Sequence, residues 1–178
     1  MPEFIDDSTF GTYFETFERT AWRLETRHGY ASDRQSAHWA RWKAGEDISH
    51  DSSSAWRENI QRQTTAGKQF ERIRVVDNPP TEGQLFLLAR APSNEAAGEN
   101  MRNMWRTEAE RLGLPALDFW LFDDRCALVL HFDSGDEYLG AELIEDPARI
   151  AEFIRVRNAA WPHAIRRRDF AAQVASSV

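Results

Sequence analysis

The feature that most constrains the fold is a run of three apolar segments, DFWLFDDRCALVLHFDSGDEYLGAEL, which covers residues 118–143. Two short acidic breaks separate the segments, Asp123-Asp124 and the run from Asp133 to Asp136. Asp and Gly accept the backbone angles of tight hairpin turns, and the segments are rich in aromatic and β-branched residues. The sequence therefore predicts a three-stranded antiparallel meander, with strands at about 119–122, 126–132 and 137–143.

The chain before the meander indicates helices and one further strand. A helix is predicted from an N-cap at Ser8 or Thr9 to about Glu25, because apolar residues recur there at helical spacing. This stripe consists of Phe10, Tyr13, Phe14, Phe17, Ala21 and Leu24. The sequence then predicts a short helix that ends near Gly45. A third helix is predicted to carry Trp56 and Ile60 and to end at about Gly67.

The middle and the end of the chain contain a strand, two further helices and a basic tail. FERIRVVD predicts a strand at 70–77, which the prolines of NPP end. TEGQLFLLARAP indicates a helix. Residues 93–98 are expected to form a loop. The wider segment 93–112 is compatible with either a helix or a strand. Asp146 followed by Pro147 is typical of a helix start, and that helix is expected to end at about residue 161. From about Arg166 we expect a frayed tail.

These elements predict one α+β domain over residues 1–178. Its N-terminal helices, within a helical part at 1–67, are expected to pack on a mixed sheet that ends in the meander. The sheet-containing part is expected at 70–161 and the basic tail at 166–178. The helix at 147–161 is expected to cover one sheet face.

Charge is unevenly distributed along the chain, whose net charge is −7. Residues 118–146 hold nine carboxylates and one arginine, whereas 147–178 hold six arginines and two acids. Because duplex binding depends on neutralising phosphates, an acidic chain is a poor general nucleic-acid binder. We therefore expect no direct contact with nucleic acid.

Several other classes are disfavoured by composition. No run approaches the roughly 18 apolar residues of a membrane helix, and the acidic N-terminus lacks the features of a signal peptide. A cytoplasmic location without membrane contact follows as the expectation. The single cysteine, Cys126, lies in an apolar run and is expected to be a buried, inert thiol. No metal-binding, nucleotide-binding or nucleophile-elbow motif occurs, so no metal and no cofactor are expected.

A catalytic or binding site at the meander is the main chemical candidate. Its members would be drawn from the acidic and imidazole side chains at the strand ends, which can converge and shift each other's pKa. These residues are Asp118, Asp123, Asp124, His131, Asp133 and Asp136. The simpler interpretation is that the aspartates form turns and that His131 is a hydrogen-bonded sheet histidine.

Three other groups of residues each have both a functional and a structural interpretation. The run Arg166 to Arg168 could contact phosphate, but a solvated tail explains it as well. Ser52, Ser53 and Ser54 fit helix capping better than catalysis. Trp39 and Trp42 are three residues apart and could form part of an interface, since Trp is enriched at binding hot spots.

The blocks DFWLFDDR, LHFD, YLGAELIEDP and AAW resemble an actinobacterial, Streptomyces-type domain of unknown function. FGTYFETFERTAWRLETRHGY and IRVVDNPP resemble other blocks of that family, so the resemblance covers nearly the whole chain. Members are often encoded beside helix-turn-helix regulators. The resemblance thus implies a regulatory or accessory role, without an established activity.

In outline the chain is also similar to phospholipase-D-like domains, which use an H-x-K pair with an Asp five residues after the Lys. If that Asp is Asp124, the His and Lys positions hold Leu117 and Phe119. If it is Asp123, they hold Ala116 and Asp118. Both alignments lack the nucleophile, so this resemblance implies a degenerate, non-catalytic descendant.

We therefore expect a non-enzymatic regulatory or interaction protein. Its partner would be a protein, such as a helix-turn-helix regulator, bound through Asp133, Asp136 and Glu137 with Trp39 and Trp42. A homodimer is also compatible with the sequence. The alternative is an enzyme or sensor for a phosphate-containing small molecule. Its site would use Asp118, Asp124, Arg125 and His131.

Overall fold

The computed structural model describes residues 2–51 and 54–177. One eight-stranded mixed sheet forms the centre of the fold. The strands are β1 Phe4–Ile5, β2 Thr20–Glu25, β3 Gln69–Val76, β4 Asn100–Trp105, β5 Asp118–Phe122, β6 Cys126–Phe132, β7 Tyr138–Ile144 and β8 Ile165–Arg166. The helices are α1 Asp7–Thr16, α2 Ala31–Arg34, α3 Ala37–Lys43, α4 Ala55–Thr65, α5 Glu82–Ala97, α6 Arg106–Arg111, α7 Pro147–Ala160 and α8 Arg167–Ser176. A 3₁₀ turn, Trp161–His163, follows α7.

The strand order is β1-β7-β6-β5-β2-β3-β4-β8. β2, β3 and β4 are parallel, and all other neighbours are antiparallel. β5, β6 and β7 form the predicted meander. Asp123 and Asp124, with φ of 53° and 58°, lie in the tight three-residue turn, residues 123–125, between β5 and β6. Positive φ at both positions is what a tight hairpin of this twist requires, and Asp tolerates it better than most residues.

Helices cover both faces of the sheet. On one face, Phe14 of α1 and Ile60 of α4 pack on aromatic residues of β3 and β5. On the other, Phe153 of α7 lies 4.4 Å from Phe119 of β5, measured between ring centroids. The predicted α+β class, with N-terminal helices on a mixed sheet and a covering C-terminal helix, is confirmed.

The prediction of one helix from Ser8 or Thr9 to Glu25 was wrong. Asp6 caps α1 by accepting the Thr9 N–H at 2.7 Å, and the helix ends at Thr16. Residues 20–25 instead form β2, which is buried on both faces and hydrogen-bonded to β3 and β5. Pairing with two strands outweighs the helical spacing of the apolar residues, since local pattern is a weak guide where tertiary contacts compete.

Three further expectations are corrected. The short helix before Gly45 is two helices, α2 and α3. The expected loop at 93–98 belongs to α5, which ends at Gly98 with φ of 118°, and the ambiguous segment then supplies β4 and α6. The basic tail is not frayed, because Phe170 of α8 is fully buried and its ring centroid lies 4.4 Å from that of Trp105.

The part expected to be helical, residues 1–67, also supplies two strands of the sheet, β1 and β2. Within the described ranges, no helix combines the length and apolar character that crossing a bilayer requires.

Candidate functional site: an arginine-lined cavity

A cavity of about 630 Å³ lies above the sheet, on the face that α1, α4 and α5 cover. Its volume falls in the range of small-molecule sites, which are roughly 300–1,000 Å³. Its lining comprises Phe10, Arg23, Glu25, Tyr30, Ser32, Asp33, Ser54, Trp56, Arg57, Arg72, Arg74, Leu87, Arg90, Ala91, Asn94, Leu130, Phe132 and Tyr138. Five arginines and two carboxylates give this lining an excess of positive charge.

Strand alternation places charged residues in the floor of the cavity. Side chains of a strand point alternately to the two faces, so Arg23 and Glu25 of β2 share a face with Arg72 and Arg74 of β3. Their neighbours on that face toward the strand starts, such as Phe70, belong to the apolar core. The same face therefore changes from apolar to ionic toward the carboxyl ends of the parallel strands.

Glu25 is the centre of a buried ion network. Its carboxylate accepts hydrogen bonds from Arg72 and, at 2.5 Å, from Arg74, and Arg23 Nε lies 3.0 Å away. Burial opposes ionisation, but the charges of Arg72, Arg74 and Arg23 outweigh it and hold the pKa of Glu25 far below its ordinary value. Arg72 Nε also donates to Glu99 at 2.6 Å.

Asp118, at the start of β5, fixes the adjoining wall. One carboxylate oxygen accepts the Thr26 N–H at 2.7 Å, and the other accepts the Tyr30 hydroxyl at 2.5 Å. Arg23 Nη2 lies 3.5 Å from the latter oxygen. Burial, together with the nearby charges of Glu25 and Asp118, raises the pKa of Tyr30 well above its ordinary value. Tyr30 is therefore a poor nucleophile and serves to position Asp118.

An indole ring supports the guanidinium groups from below. The guanidinium carbons of Arg23 and Arg72 each lie 5.3 Å from the ring centroid of Trp120, within the range of cation–π attraction. This stacking and the hydrogen bonds hold the floor rigid. Its three arginines are matched by three acids, Glu25, Glu99 and Asp118.

Two further arginines in the lining have no such match. Arg57 of α4, only 7% exposed, donates to the Asp51 backbone carbonyl at 2.7 Å and to the Asn94 side chain at 3.2 Å. The buried Nε of Arg90, on α5, has no hydrogen-bond partner in the described ranges. Neither guanidinium forms an ion pair with a carboxylate there. Burial, and secondarily the charge of Arg90, lowers the pKa of Arg57 against the attraction of Asp51, although an arginine stays protonated at neutral pH.

Asp33 of α2 completes the charged wall. Burial raises its pKa to about 6, against the attraction of Arg74 and Arg90. Its Oδ2 has no hydrogen-bond partner among the residues described.

The wall opposite the arginines is aromatic. The ring of Tyr138 on β7 lies 5.8 Å from that of Phe132 on β6 and 6.4 Å from that of Phe10 on α1. Because β7 and β6 lie on one side of β5 and β2 while β3 lies on the other, the aromatic and ionic walls face each other across the sheet. Tyr138 is 43% exposed, so its ring is accessible.

The acidic residues expected to bind a partner form contacts at the rim of this cavity. Asp136 pairs with Arg27 at 2.5 Å and with Arg34 at 3.2 Å. The Glu137 side chain accepts from Gln35 at 2.8 Å, and Asp133 accepts N–H groups within its own turn. These contacts connect the turn between β6 and β7 to the segment around α2. We call them the rim clamp.

The proposed catalytic set, Asp118, Asp124, Arg125 and His131, is divided between the two ends of the meander. Asp118 and His131 line a second cavity of about 320 Å³. His131 Nε2 lies 3.0 Å from Glu142, so it is a hydrogen-bonded sheet histidine. Asp124 pairs with Arg157 and Arg125 with Glu18 at the other end of β5.

Asp123, also named with the acidic residues, accepts three backbone N–H groups of residues 18–20 at 2.7–2.9 Å. It therefore connects the chain entering β2 to the hairpin turn.

The remaining candidates have structural contacts. The rings of Trp39 and Trp42 pack on Phe86, with centroids 5.0 and 5.6 Å from it. Ser54 caps α4 by accepting the Arg57 N–H at 3.2 Å, whereas Ser52 and Ser53 lie outside the described residues. In the run Arg166 to Arg168, Arg167 pairs with Glu95 at 2.5 Å.

Two further findings concern the thiol and metals. Burial raises the pKa of Cys126 to about 11, so its thiol is protonated at neutral pH. Residues 2–51 and 54–177 contain no group of three or more His, Cys, Asp or Glu side chains arranged to hold a metal ion.

Sequence reasoning missed the arginine cavity. The available signal was the alternation of charged and apolar residues within a strand, as in the RIR of FERIRVV. An arginine inside a strand has to be paired when it is buried. Arg23 and Glu25 were hidden by the assignment of residues 20–25 to a helix.

Comparison with solved structures found a similar chain in a structure whose description reads "Structure of TrmBL2, an archaeal chromatin protein, shows a novel mode of DNA binding". It is 13% identical, with a TM-score of 0.47; the match covers 92% of this chain and 52% of the other, so this chain spans about half its length. The expectation that this chain makes no direct contact with nucleic acid is corrected by this finding, because the matched chain belongs to a protein described as binding DNA. At this similarity the match assigns no ligand to this chain.

No curated protein matches the sequence. A family model described as a domain of unknown function, DUF6879, matches residues 8–172, which is nearly the whole described chain. This chain therefore belongs to the DUF6879 family.

Proposed function

We propose that this domain binds a small anionic molecule in the arginine-lined cavity and acts as a ligand-responsive regulatory domain. The observation that carries the proposal is the pair Arg57 and Arg90, two guanidinium groups that face a cavity and form no ion pair with a carboxylate in the described chain. A buried charge is costly unless it is paired, so an anion bound there would supply the missing partner.

Binding, rather than catalysis, fits the chemistry of the lining. The Tyr30 hydroxyl is committed to Asp118 and has a strongly raised pKa, so it is a poor nucleophile. The arginines are hydrogen-bond donors that remain charged and cannot act as general bases at neutral pH. A rigid ionic floor with free donors above it is suited to holding a ligand.

This proposal keeps the phosphate-containing ligand of the alternative expectation but moves its site from the meander turns to the cavity. The finer role, as an accessory to a helix-turn-helix regulator, stays a proposal that rests on the family resemblance. Asp136 and Glu137, two of the acidic residues expected to carry that interaction, are engaged in the rim clamp.

The test is isothermal titration of the protein with ribose 5-phosphate. Two charge-assisted hydrogen bonds, each contributing about 1.5–3 kcal/mol, predict a dissociation constant on the order of 1 mM or below. Arg90→Gln should weaken binding about 10-fold or more, because it removes a charge while keeping much of the side-chain volume.

Arg168→Gln is the matched control, since this arginine is exposed on α8 and outside the cavity. It should bind as the wild type does. Equal affinity of all three proteins, or no saturable binding by the wild type, would refute the proposal.

A further inference from the structure

The two walls of the cavity differ in chemistry, and this difference restricts the ligand further. Arg57 and Arg90 lie on α4 and α5, above β2 and β3. Phe10, Phe132 and Tyr138 lie above β6 and β7. A ligand that fills the space must therefore present an anionic group on one side and an apolar, ring-like group on the other.

The hydrogen-bond donors of the ionic wall favour phosphate over carboxylate. The floor arginines have acidic partners, whereas Arg57 and Arg90 form no ion pair with a carboxylate in the described chain and keep N–H donors for a ligand. A carboxylate offers two acceptor oxygens. A phosphate monoester carries about −1.5 to −2 at pH 7 and has three acceptor oxygens, so it can satisfy both guanidinium groups.

The aromatic wall favours a planar ring. Phe132 and Tyr138 are only partly buried, and their ring centroids lie 5.8 Å apart at an interplanar angle of 62°. Aromatic rings contribute apolar area and offset or edge-to-face packing to a planar partner. Stacking of a base on such a side chain is tolerant of which base it is, because every base offers a π face.

From this juxtaposition we propose that the ligand is a phosphate monoester carrying a planar ring, of which a nucleoside monophosphate is the simplest representative. This inference rests on the proposed function, since it assigns the ligand class of the same cavity. The phosphate lies between Arg57 and Arg90, and the ring packs against Tyr138 and Phe10. Asp33 of α2, in the charged wall, can accept a hydrogen bond from a hydroxyl or amino group of the ligand.

The test compares AMP, ribose 5-phosphate and adenosine by isothermal titration. Stacking on an aromatic side chain predicts that AMP binds about 10-fold or more tightly than ribose 5-phosphate. Tyr138→Ala should remove most of this gain and leave the affinity for ribose 5-phosphate unchanged. Tyr138 is 43% exposed, so its truncation is compatible with folding.

Leu139→Ala is the matched control for this variant. Leu139 follows Tyr138 on β7, is 54% exposed and is not part of the cavity lining. This control should keep the full difference between AMP and ribose 5-phosphate.

The failures of the two proposals are distinguishable. Equal affinity for AMP and ribose 5-phosphate overturns the ring-bearing ligand and leaves anion binding intact. Binding of adenosine as tight as that of AMP, or no binding of either phosphate, overturns both. Tighter binding of a short single-stranded oligonucleotide than of AMP overturns the free monoester and assigns the cavity to nucleic acid.

Discussion

Arg57 and Arg90 reach the same cavity from neighbouring helices, α4 and α5, and in the described chain neither forms an ion pair with a carboxylate. Beneath them, Glu25, Glu99 and Asp118 match the three arginines of the floor. The site therefore combines a balanced network, which is part of the fold, with an unbalanced pair that is open to a ligand. The predictions below separate these two roles.

Removing the central acid of the floor should strongly destabilise the protein. Glu25→Gln leaves Arg23, Arg72 and Arg74 without their shared charge in a buried setting, and breaking such a pair costs about 3–5 kcal/mol. Chemical unfolding measures this loss. The control is Glu18→Gln, which breaks only an exposed pair with Arg125 and should cost less than about 1 kcal/mol. Similar small losses in both variants would show that the floor is not a stabilising network.

The carboxyl of Asp33 should make stability depend on pH in a defined direction. Its pKa is about 6 in the folded protein and 3.8 without the fold, so the folded state holds the proton more tightly. Its contribution to stability is therefore fully present below about pH 4, falls as the pH rises toward 6, and is constant above. Asp33→Asn should match the wild type near pH 4 and exceed its free energy of unfolding by on the order of 1 kcal/mol at pH 7.

Urea unfolding of both proteins across pH 4–8 checks this expectation. A constant difference between Asp33→Asn and the wild type would contradict the assignment. The same ionisation predicts that sulfate, which does not titrate in this range, binds the cavity more tightly at pH 5 than at pH 7. Protonation of Asp33 removes a negative charge from the lining.

Weakening the rim clamp should loosen the segment around α2 without unfolding the domain. Burial opposes the ionisation of Asp136, but hydrogen bonds from Arg27 and Arg34 outweigh it and lower the pKa of Asp136. These hydrogen bonds therefore stabilise the ionised carboxylate. Asp136→Asn keeps a residue that tolerates the φ of 67° at this position but removes the charge. Amide hydrogen exchange over residues 27–36 should accelerate, with unchanged exchange in β5. The control variant is Glu152→Gln, at an exposed position on α7, and it should leave the exchange rates of both regions unchanged.

The C-terminal helix should contribute to the core. Phe170 is fully buried against Val76 and Trp105, so Phe170→Ala should lower the free energy of unfolding by about 3 kcal/mol. Chemical denaturation measures the change, with Ser176→Ala near the helix end as the control. A loss below about 0.5 kcal/mol, the level of an ordinary surface substitution, would mean that α8 is detached in solution.

The sequence predicts the meander well because its signals are local. Tight turns at Asp123-Asp124 and at 133–136, and the Asp146-Pro147 helix start, depend on residues within a few positions of each other. The alternation of Leu128 and Val129 between the two faces likewise follows from strand geometry.

The cavity could not be predicted in the same way, because its members come from eight helices and strands far apart in the chain. Arg23 meets Asp118 across 95 positions, and Arg72 meets Glu25 across 47. The helical spacing of Phe17, Ala21 and Leu24 concealed β2, which is stabilised by pairing with β3 and β5 rather than by local preference. The acidic residues of the turns were visible in the sequence, but their arginine partners in the rim clamp were not.

The most direct test of the central claim follows the arginine side chains themselves. We would record ¹⁵N–¹H spectra of the arginine Nε–Hε groups during titration with ribose 5-phosphate. The account predicts saturable shifts of the Arg57 and Arg90 signals with one common dissociation constant, while Arg168 stays unchanged. Shifts confined to Arg166 and Arg168 of the basic C-terminal run, or no saturable shift of Arg57 and Arg90, would contradict it.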